Sequence, residues 1–220
     1  MEQFAASYVR ATAGSAGAHA PLLPPLLSMT RIVIFHSVLG VRRGELDAAD
    51  RLRAAGHEVL VPDLYEGRVF DDYEPAMTYS RSLGPDLLNE RALAAVAGLP
   101  DGFVVAGFSQ GSGLAVFVAT RRAVSGVLQF SGLNVLEWFG EDARWPAGVD
   151  SQSHQTQDDP FRDPVEEQAA RDVRDAGGVL ELFVYPGSGH LFTDPTRPEE
   201  YDAQATELFW SRVLPFVAGR

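Results

Sequence analysis

The sequence predicts an α/β protein, with a mostly parallel sheet carrying helices on both faces. Three observations predict it. Short apolar runs alternate with stretches of helical periodicity from Arg31 onward. The runs are rich in Val, Ile, Leu and Phe, as strands buried on both faces require. Gly or Pro stands at many of the junctions. With 220 residues and 45% hydrophobic content, the chain has room for one such core and little for a second.

Residues 32–35 read as the first buried strand, and residues 45–55 as a helix with Leu46, Ala49 and Leu52 along one side and Gly56 ending it. Residues 59–61 follow as a strand that ends at Pro62. Residues 63–83 mix Tyr, Asp, Gly and Pro without a clear period, which predicts a long loop with room for one short helix. Residues 85–97 read as helix, with Leu88, Ala92 and Ala95 or Val96 inward and Pro85 suited to the first turn. Residues 103–108 form a wholly apolar strand, followed at once by a glycine-rich turn and an apolar helix over 112–120. A strand over 127–130 leads into an irregular excursion, 131–148, that carries Trp138, Phe139 and Trp145.

Residues 149–157 are the weakest strand candidate. Asp150, Gln152, His154 and Thr156 alternate there with Ser and Gln rather than with large apolar side chains, and only the topology asks for a strand. Residues 164–176 read as helix, 180–185 as strand, and 199–214 as a helix with Tyr201, Ala205, Leu208, Phe209 and Val213 on one face. No internal repeat is visible. Residues 1–28 mix Ala, Gly and Ser with a proline-interrupted stretch, and are expected to be a disordered or loosely packed extension ahead of a single domain over 29–220, with Met29 a candidate start. A secretory signal fits them poorly, because only Arg10 is basic and prolines split the apolar part.

Composition narrows the chemistry. Cysteine is absent, which removes disulfides, thiolate metal sites and a cysteine nucleophile. Thirty acidic residues oppose eighteen basic ones, all of them Arg, for a net charge of −12, and such a chain repels phosphate backbones. Nucleic acid is therefore not an expected partner. No apolar run reaches the roughly 18 to 20 residues of a membrane span, so a cytoplasmic protein without membrane contact is expected.

Gly107-Phe108-Ser109-Gln110-Gly111 matches G-x-S-x-G, and its setting matters more than its letters. An apolar strand enters it and an apolar helix leaves it, as a nucleophile elbow requires. The turn is tight, so the residues two positions either side of Ser109 must be small, which Gly107 and Gly111 satisfy. Gly113 is expected to let the helix start lie close to the sheet. The backbone N–H of Gln110 stands at the helix N-terminus, where it can face a developing oxyanion. Without a partner the motif is also an ordinary glycine-rich strand-to-helix turn.

A serine hydroxyl needs a base, and histidine serves because its pKa lies near working pH. Of five histidines, His19 lies in the extension, His57 at a helix-to-strand junction, His154 in the doubtful strand, and His36 after the first strand, ahead of the elbow. His190 follows the last strand directly, in a loop made mobile by Gly187 and Gly189. That is where the chain order Ser, acid, His of an α/β-hydrolase fold places its base. The acid then falls between Ser109 and His190, at the end of the preceding strand, where Asp158, Asp159 and Asp163 are available. Asp159, just before Pro160, is preferred, with Asp158 its nearest rival. Its carboxylate would fix the imidazole tautomer.

At these residues the chain resembles the dienelactone hydrolase family, over about residues 31–216. The likeness is carried by Val61-Pro62-Asp63-Leu64-Tyr65, by Tyr185-Pro186-Gly187-Ser188-Gly189-His190-Leu191-Phe192, and by the helix around Tyr201 to Trp210. The resemblance implies Asp159, in its Asp-Pro pair, as the acid, and the backbone N–H of Val38 as a second oxyanion donor beside Gln110. The chain departs from the family in three ways. Ser109 stands where the family's best-known members carry Cys, Ser37 where they carry a glutamate that contacts the resting nucleophile, and Asp194 where an arginine helps hold a substrate carboxylate.

The expected function is hydrolysis of a small carboxylic ester or lactone by Ser109, His190 and Asp159, with no cofactor and no metal, in a monomer or small homo-oligomer. Losing Cys and Glu together points to a constitutive serine hydrolase, and Asp194 is expected to repel an anionic substrate. Two alternatives remain: a thioesterase or peptidase with the same triad, and a non-catalytic small-molecule binder on the same fold, favoured if Asp159 and His190 stand apart.

Overall fold

The computed structural model describes residues 29–220, so the extension expected over 1–28 lies outside the described residues. In chain order the elements are β1 (Arg31–Phe35), α1 (Arg43–Ala54), β2 (Glu58–Leu60), α2 (Tyr73–Leu83), α3 (Pro85–Val96), β3 (Phe103–Phe108), α4 (Gln110–Ala119), β4 (Val124–Phe130), β5 (Ser151–Thr156), α5 (Glu166–Asp175), β6 (Leu180–Tyr185) and α6 (Ala203–Ala218). A 3-10 turn over Leu136–Phe139 lies in the excursion after β4.

The six strands form one sheet in the order β2-β1-β3-β4-β5-β6, and every neighbouring pair is parallel. Strand residues alternate between two cores, which is why the apolar runs are continuous. Ile32 and Ile34 of β1 face a core shared with α1 and α6, whereas Val33 and Phe35 face a core shared with α3 and α4. Phe130, Phe192 and Phe209 close-pack in the first of these, with Phe209 fully buried. Truncating Phe209 to Ala would cost about 3–5 kcal/mol.

β5 is a strand despite its polar sequence, and all six of its residues are buried. Each side chain finds a partner, which is the condition for burying it. The Ser151 hydroxyl accepts from Gln129 Nε2 (3.1 Å), Gln152 Nε2 donates to Glu181 (2.9 Å), and the Ser153 hydroxyl donates to the Gly132 carbonyl (2.9 Å) and accepts from Gln155 (3.1 Å). His154 accepts from the Tyr185 hydroxyl at Nδ1 (2.8 Å) and donates to Gln152 Oε1 at Nε2 (3.2 Å). Full burial holds its pKa well below the usual histidine value.

The span 63–83 holds the one helix there was room for, α2, eleven residues long, whose Ala76 is fully buried while Tyr73 and Met77 pack on the α1/α6 core, and three other expectations are corrected. Pro75 falls in its first turn, where a proline is tolerated. Leu46 is 42% exposed, and α1 instead buries Glu45, Ala48, Ala49 and Leu52. Tyr201 and Leu208 are also largely exposed, because α6 starts at Ala203, where Asp202 caps it through a bond from Ala205 N (2.9 Å), and turns Ala205, Phe209 and Val213 inward. That helix runs through Pro215 to Ala218 rather than stopping at Leu214, since Phe216 and Val217 pack into the core.

Candidate active site

The strand order reverses between β1 and β3, and the C-terminal ends of parallel strands at such a switch point frame a crevice. β3 delivers Ser109 there. Ser109 has φ 52° and ψ −116°, a conformation that a non-glycine residue holds only when its surroundings enforce it. The enforcement is visible in the flanking glycines. A Cβ on Gly107 would lie 1.9 Å from the Gly111 carbonyl oxygen, and one on Gly111 would lie 2.3 Å from the Phe35 oxygen. Ser109 N–H donates to the Phe130 carbonyl (2.8 Å), and its own carbonyl accepts from Ser112 N (2.8 Å) and the Ser112 hydroxyl (2.7 Å). Gly113 does not share the crowding, since a Cβ there meets only Asn134 Oδ1 at 3.3 Å, so the close approach belongs to Gly107 and Gly111.

The structure brings Ser109, His190 and Asp159 into one hydrogen-bonded chain. His190 Nε2 lies 2.7 Å from Ser109 Oγ, and His190 Nδ1 lies 2.7 Å from Asp159 Oδ2. With the carboxylate accepting at Nδ1, the Nε2 lone pair faces the hydroxyl. The Asp159 and His190 side chains are only 2% and 5% exposed, so water competes little for the hydrogen bond between them. Asp159 Oδ1 accepts from Phe161 N (2.8 Å), which fixes the carboxylate. Asp158 is exposed, and it meets the histidine loop through its backbone N–H to the Gly187 carbonyl (2.9 Å). Asp163 is exposed at the pocket rim.

Val38 is buried in the turn after β1, beside the elbow, since Gly111 abuts the Phe35 and His36 carbonyls. Glu45 braces that turn by accepting from Ser37 N (3.0 Å) and Arg42 N (3.0 Å). Gln110 opens α4, where first-turn N–H groups have no acceptor within the helix. Its side-chain Oε1 accepts from the Ser80 hydroxyl of α2 (2.6 Å), and its Nε2 donates to the Tyr65 hydroxyl (3.2 Å).

The other histidines serve structure. Buried His36 donates from Nδ1 to the Ser37 carbonyl (2.7 Å) and accepts from Leu64 N at Nε2 (3.1 Å), and burial lowers its pKa. His57 accepts from Thr30 N (3.3 Å), with its pKa also lowered by burial. His19 lies outside the described residues.

Asp194 does not act as a repelling charge at the pocket. It is 3% exposed, pairs with Arg42 Nε (3.4 Å), and accepts from Thr196 N (2.9 Å) and the Thr196 hydroxyl (2.7 Å). A neighbouring cation and local donors account for the aspartate at this position.

Ser109, Asn134, Trp138, Gln155, Phe161 and Arg162 help line a pocket of about 140 Å³ that contains Ser109 and His190. This is small beside the 300–1,000 Å³ typical of ligand sites. Among the described residues no group of three or more His, Cys, Asp or Glu side chains could hold a metal ion, and no helix is long and apolar enough to cross a membrane.

Sequence reading missed Tyr73, Thr156 and Glu200, which surround the base. The Thr156 hydroxyl donates to the Gly189 carbonyl (3.0 Å), and Glu200 Oε2 accepts from Leu191 N (2.6 Å). Thr156 was legible only as a member of the doubtful strand, and Glu200 as one of many acidic residues.

A six-stranded parallel sheet with helices on both faces and a strained serine at the β3–α4 turn defines an α/β-hydrolase fold. The sequence model of the dienelactone hydrolase family matches residues 22–219, and the chain belongs to that family of hydrolases. No curated protein matches significantly. Solved structures share the fold at low identity. A dienelactone hydrolase-like promiscuous phosphotriesterase from metagenomic libraries is 20% identical with a TM-score of 0.71, over 86% of each chain. A Klebsiella pneumoniae protein assigned as a dienelactone hydrolase is 19% identical, with a TM-score of 0.67 over 90% of each chain. Esterase PE8 is 18% identical, with a TM-score of 0.59, over 90% of this chain and 97% of that one.

Proposed function

We propose that the protein hydrolyses a small carboxylic ester or lactone through an acyl-enzyme on Ser109, with His190 as the base and Asp159 as its orienting acid. The observation that carries this reading is the unbroken chain from Ser109 Oγ through His190 to Asp159, with both contacts at 2.7 Å. Ser109 Oγ attacks the ester carbonyl as His190 Nε2 takes the hydroxyl proton. The carbonyl oxygen becomes an oxyanion bound by the Val38 and Gln110 amides. Collapse breaks the acyl C–O bond and His190 returns the proton to the departing alkoxide. Water then repeats the sequence on the acyl-serine, releasing a carboxylic acid and regenerating Ser109.

Asp159 and His190 are not apart, so the condition that favoured a non-catalytic binder is not met. The pocket of about 140 Å³ supports a short acyl group. Ser109→Ala should abolish turnover of short-chain chromogenic esters and labelling by a fluorophosphonate, while a parallel short-chain thioester assay separates leaving groups. A folded wild type that takes no label rules the reading out.

A further inference from the structure

We propose that Glu200 is a positioning residue for His190, holding the base's loop in register with Ser109, with Tyr73 of α2 fixing its carboxylate. The inference rests on the acyl-transfer reading above.

The peptides on both sides of His190 are tethered. The Gly189 carbonyl accepts from Thr156 (3.0 Å), and Leu191 N–H donates to Glu200 Oε2 (2.6 Å). The loop also rests on the Glu200 backbone, since a Cβ on Gly189 would lie 2.0 Å from the Glu200 carbonyl oxygen. A flexible Gly-Ser-Gly approach cannot orient an imidazole by itself, so these tethers supply the orientation.

The Glu200 carboxylate is itself held on every side. The Tyr73 hydroxyl lies 2.9 and 3.1 Å from its two oxygens, and Arg197 donates to Oε1 from Nε (2.7 Å) and Nη2 (2.6 Å). Both charged side chains are nearly buried, at 12% and 9% exposure, and each offsets the other's desolvation. Four donors converge on one group, and a carboxylate alone offers acceptor sites for all of them without presenting a donor. Burial, and then the adjacent Glu200 charge, push the Tyr73 phenol's pKa up, so it stays a donor.

Tyr73 completes the link to the base. Its ring meets that of His190 in a T-shaped contact at 5.9 Å between centroids and packs on Phe161 at 5.1 Å, while the Arg197 guanidinium lies over it at 4.8 Å. Tyr73, Ala76, Met77 and Ser80 follow an i, i+3, i+4, i+7 spacing, which puts them on one face of α2. One end of that face meets the Glu200 tether, and the other meets Gln110, next to the nucleophile.

The test compares Glu200→Ala with Glu200→Gln by steady-state kinetics on a short ester, by fluorophosphonate labelling rate and by thermal unfolding. Gln keeps an oxygen for Leu191 N–H but gives up the charge that pairs with Arg197. Glu200→Ala should lower kcat about 10- to 100-fold, the scale of a small misplacement of a catalytic group, with KM changed less than about twofold. Glu200→Gln should recover most of that kcat, although it loses stability. A purely structural residue would make activity follow unfolding temperature, with both variants equally impaired, and that result overturns the proposal. If Glu200→Ala does not fold, Tyr73→Phe decides, with a fall in kcat supporting the tether and an unchanged kcat refuting it. A labelled wild type beside an equally fast, folded Glu200→Ala leaves the acyl-transfer reading standing and removes this one; an unlabelled wild type removes both.

Discussion

The nucleophile and the base are held in opposite ways. Ser109 is fixed by backbone packed on backbone, where Gly107 meets Gly111 and Gly111 meets β1 at separations that admit no side chain. His190 is fixed by side chains, with Asp159, Thr156 and Glu200 each making a hydrogen bond to the imidazole or to its flanking peptides. Steric fixing tolerates no substitution but needs no polar partner. Tethering by hydrogen bonds is graded, so it can be weakened one bond at a time.

The largest break in this comparison is Gly107→Ala. The added methyl would overlap the Gly111 carbonyl, and a clash of backbone against backbone should cost at least about 4 kcal/mol, read as loss of cooperative unfolding and of fluorophosphonate labelling together. Next comes Asp159→Asn, which should cut kcat by about 10³- to 10⁴-fold while leaving most of the unfolding temperature intact, because it spoils the imidazole tautomer and not the elbow. A loss under tenfold would show that the histidine loop does not need its acid.

A smaller effect separates the strands beneath the two groups. His154 sits on β5, two residues from the Thr156 tether, with its folded pKa held well below the ordinary value of 6.5 by burial. The folded state therefore keeps it neutral, so its contribution is complete above about pH 6.5 and falls away as pH drops below that, by about 1.4 kcal/mol per unit. Urea unfolding midpoints between pH 7.5 and 5 should show this slope, and His154→Gln should flatten it, leaving the part that belongs to buried His36 and His57. An unchanged slope in His154→Gln would assign the acid sensitivity elsewhere. The smallest effect is Gly113→Ala, expected to change stability by no more than about 1 kcal/mol, since its only crowding is a side-chain oxygen at 3.3 Å. A loss as large as that of Gly107→Ala would erase the distinction between the two glycines.

Some of this was legible along the chain, and the rest was not, for identifiable reasons. The elbow was legible because its constraint is local, with strand, glycine, serine, glycine and helix lying in one stretch. β5 was legible only through topology, since Ser-Gln-Ser-His-Gln-Thr lacks the apolar signal of a buried strand and survives burial through partners on β4, β6 and the Gly189 loop. α2 was legible only as room for one short helix within 63–83, because its apolar contacts, Ala76 above all, are a thin stripe among polar residues and mean nothing until the two cores it touches exist. Leu46, Tyr201 and Leu208 were turned the wrong way because periodicity defines a face only when the helix ends are known.

By itself the sequence determined the alternation of strands and helices, the strained turn at Ser109 and the exclusion of thiol chemistry, because each of these depends on neighbours along the chain or on composition alone. Only the tertiary structure decided which aspartate meets His190, that Asp194 is neutralised by Arg42, and that Tyr73, Thr156 and Glu200 converge on the base. Those are contacts between residues from about thirty to more than a hundred positions apart or across a loop whose path the fold sets, and a carboxylate's partner is chosen by position in space.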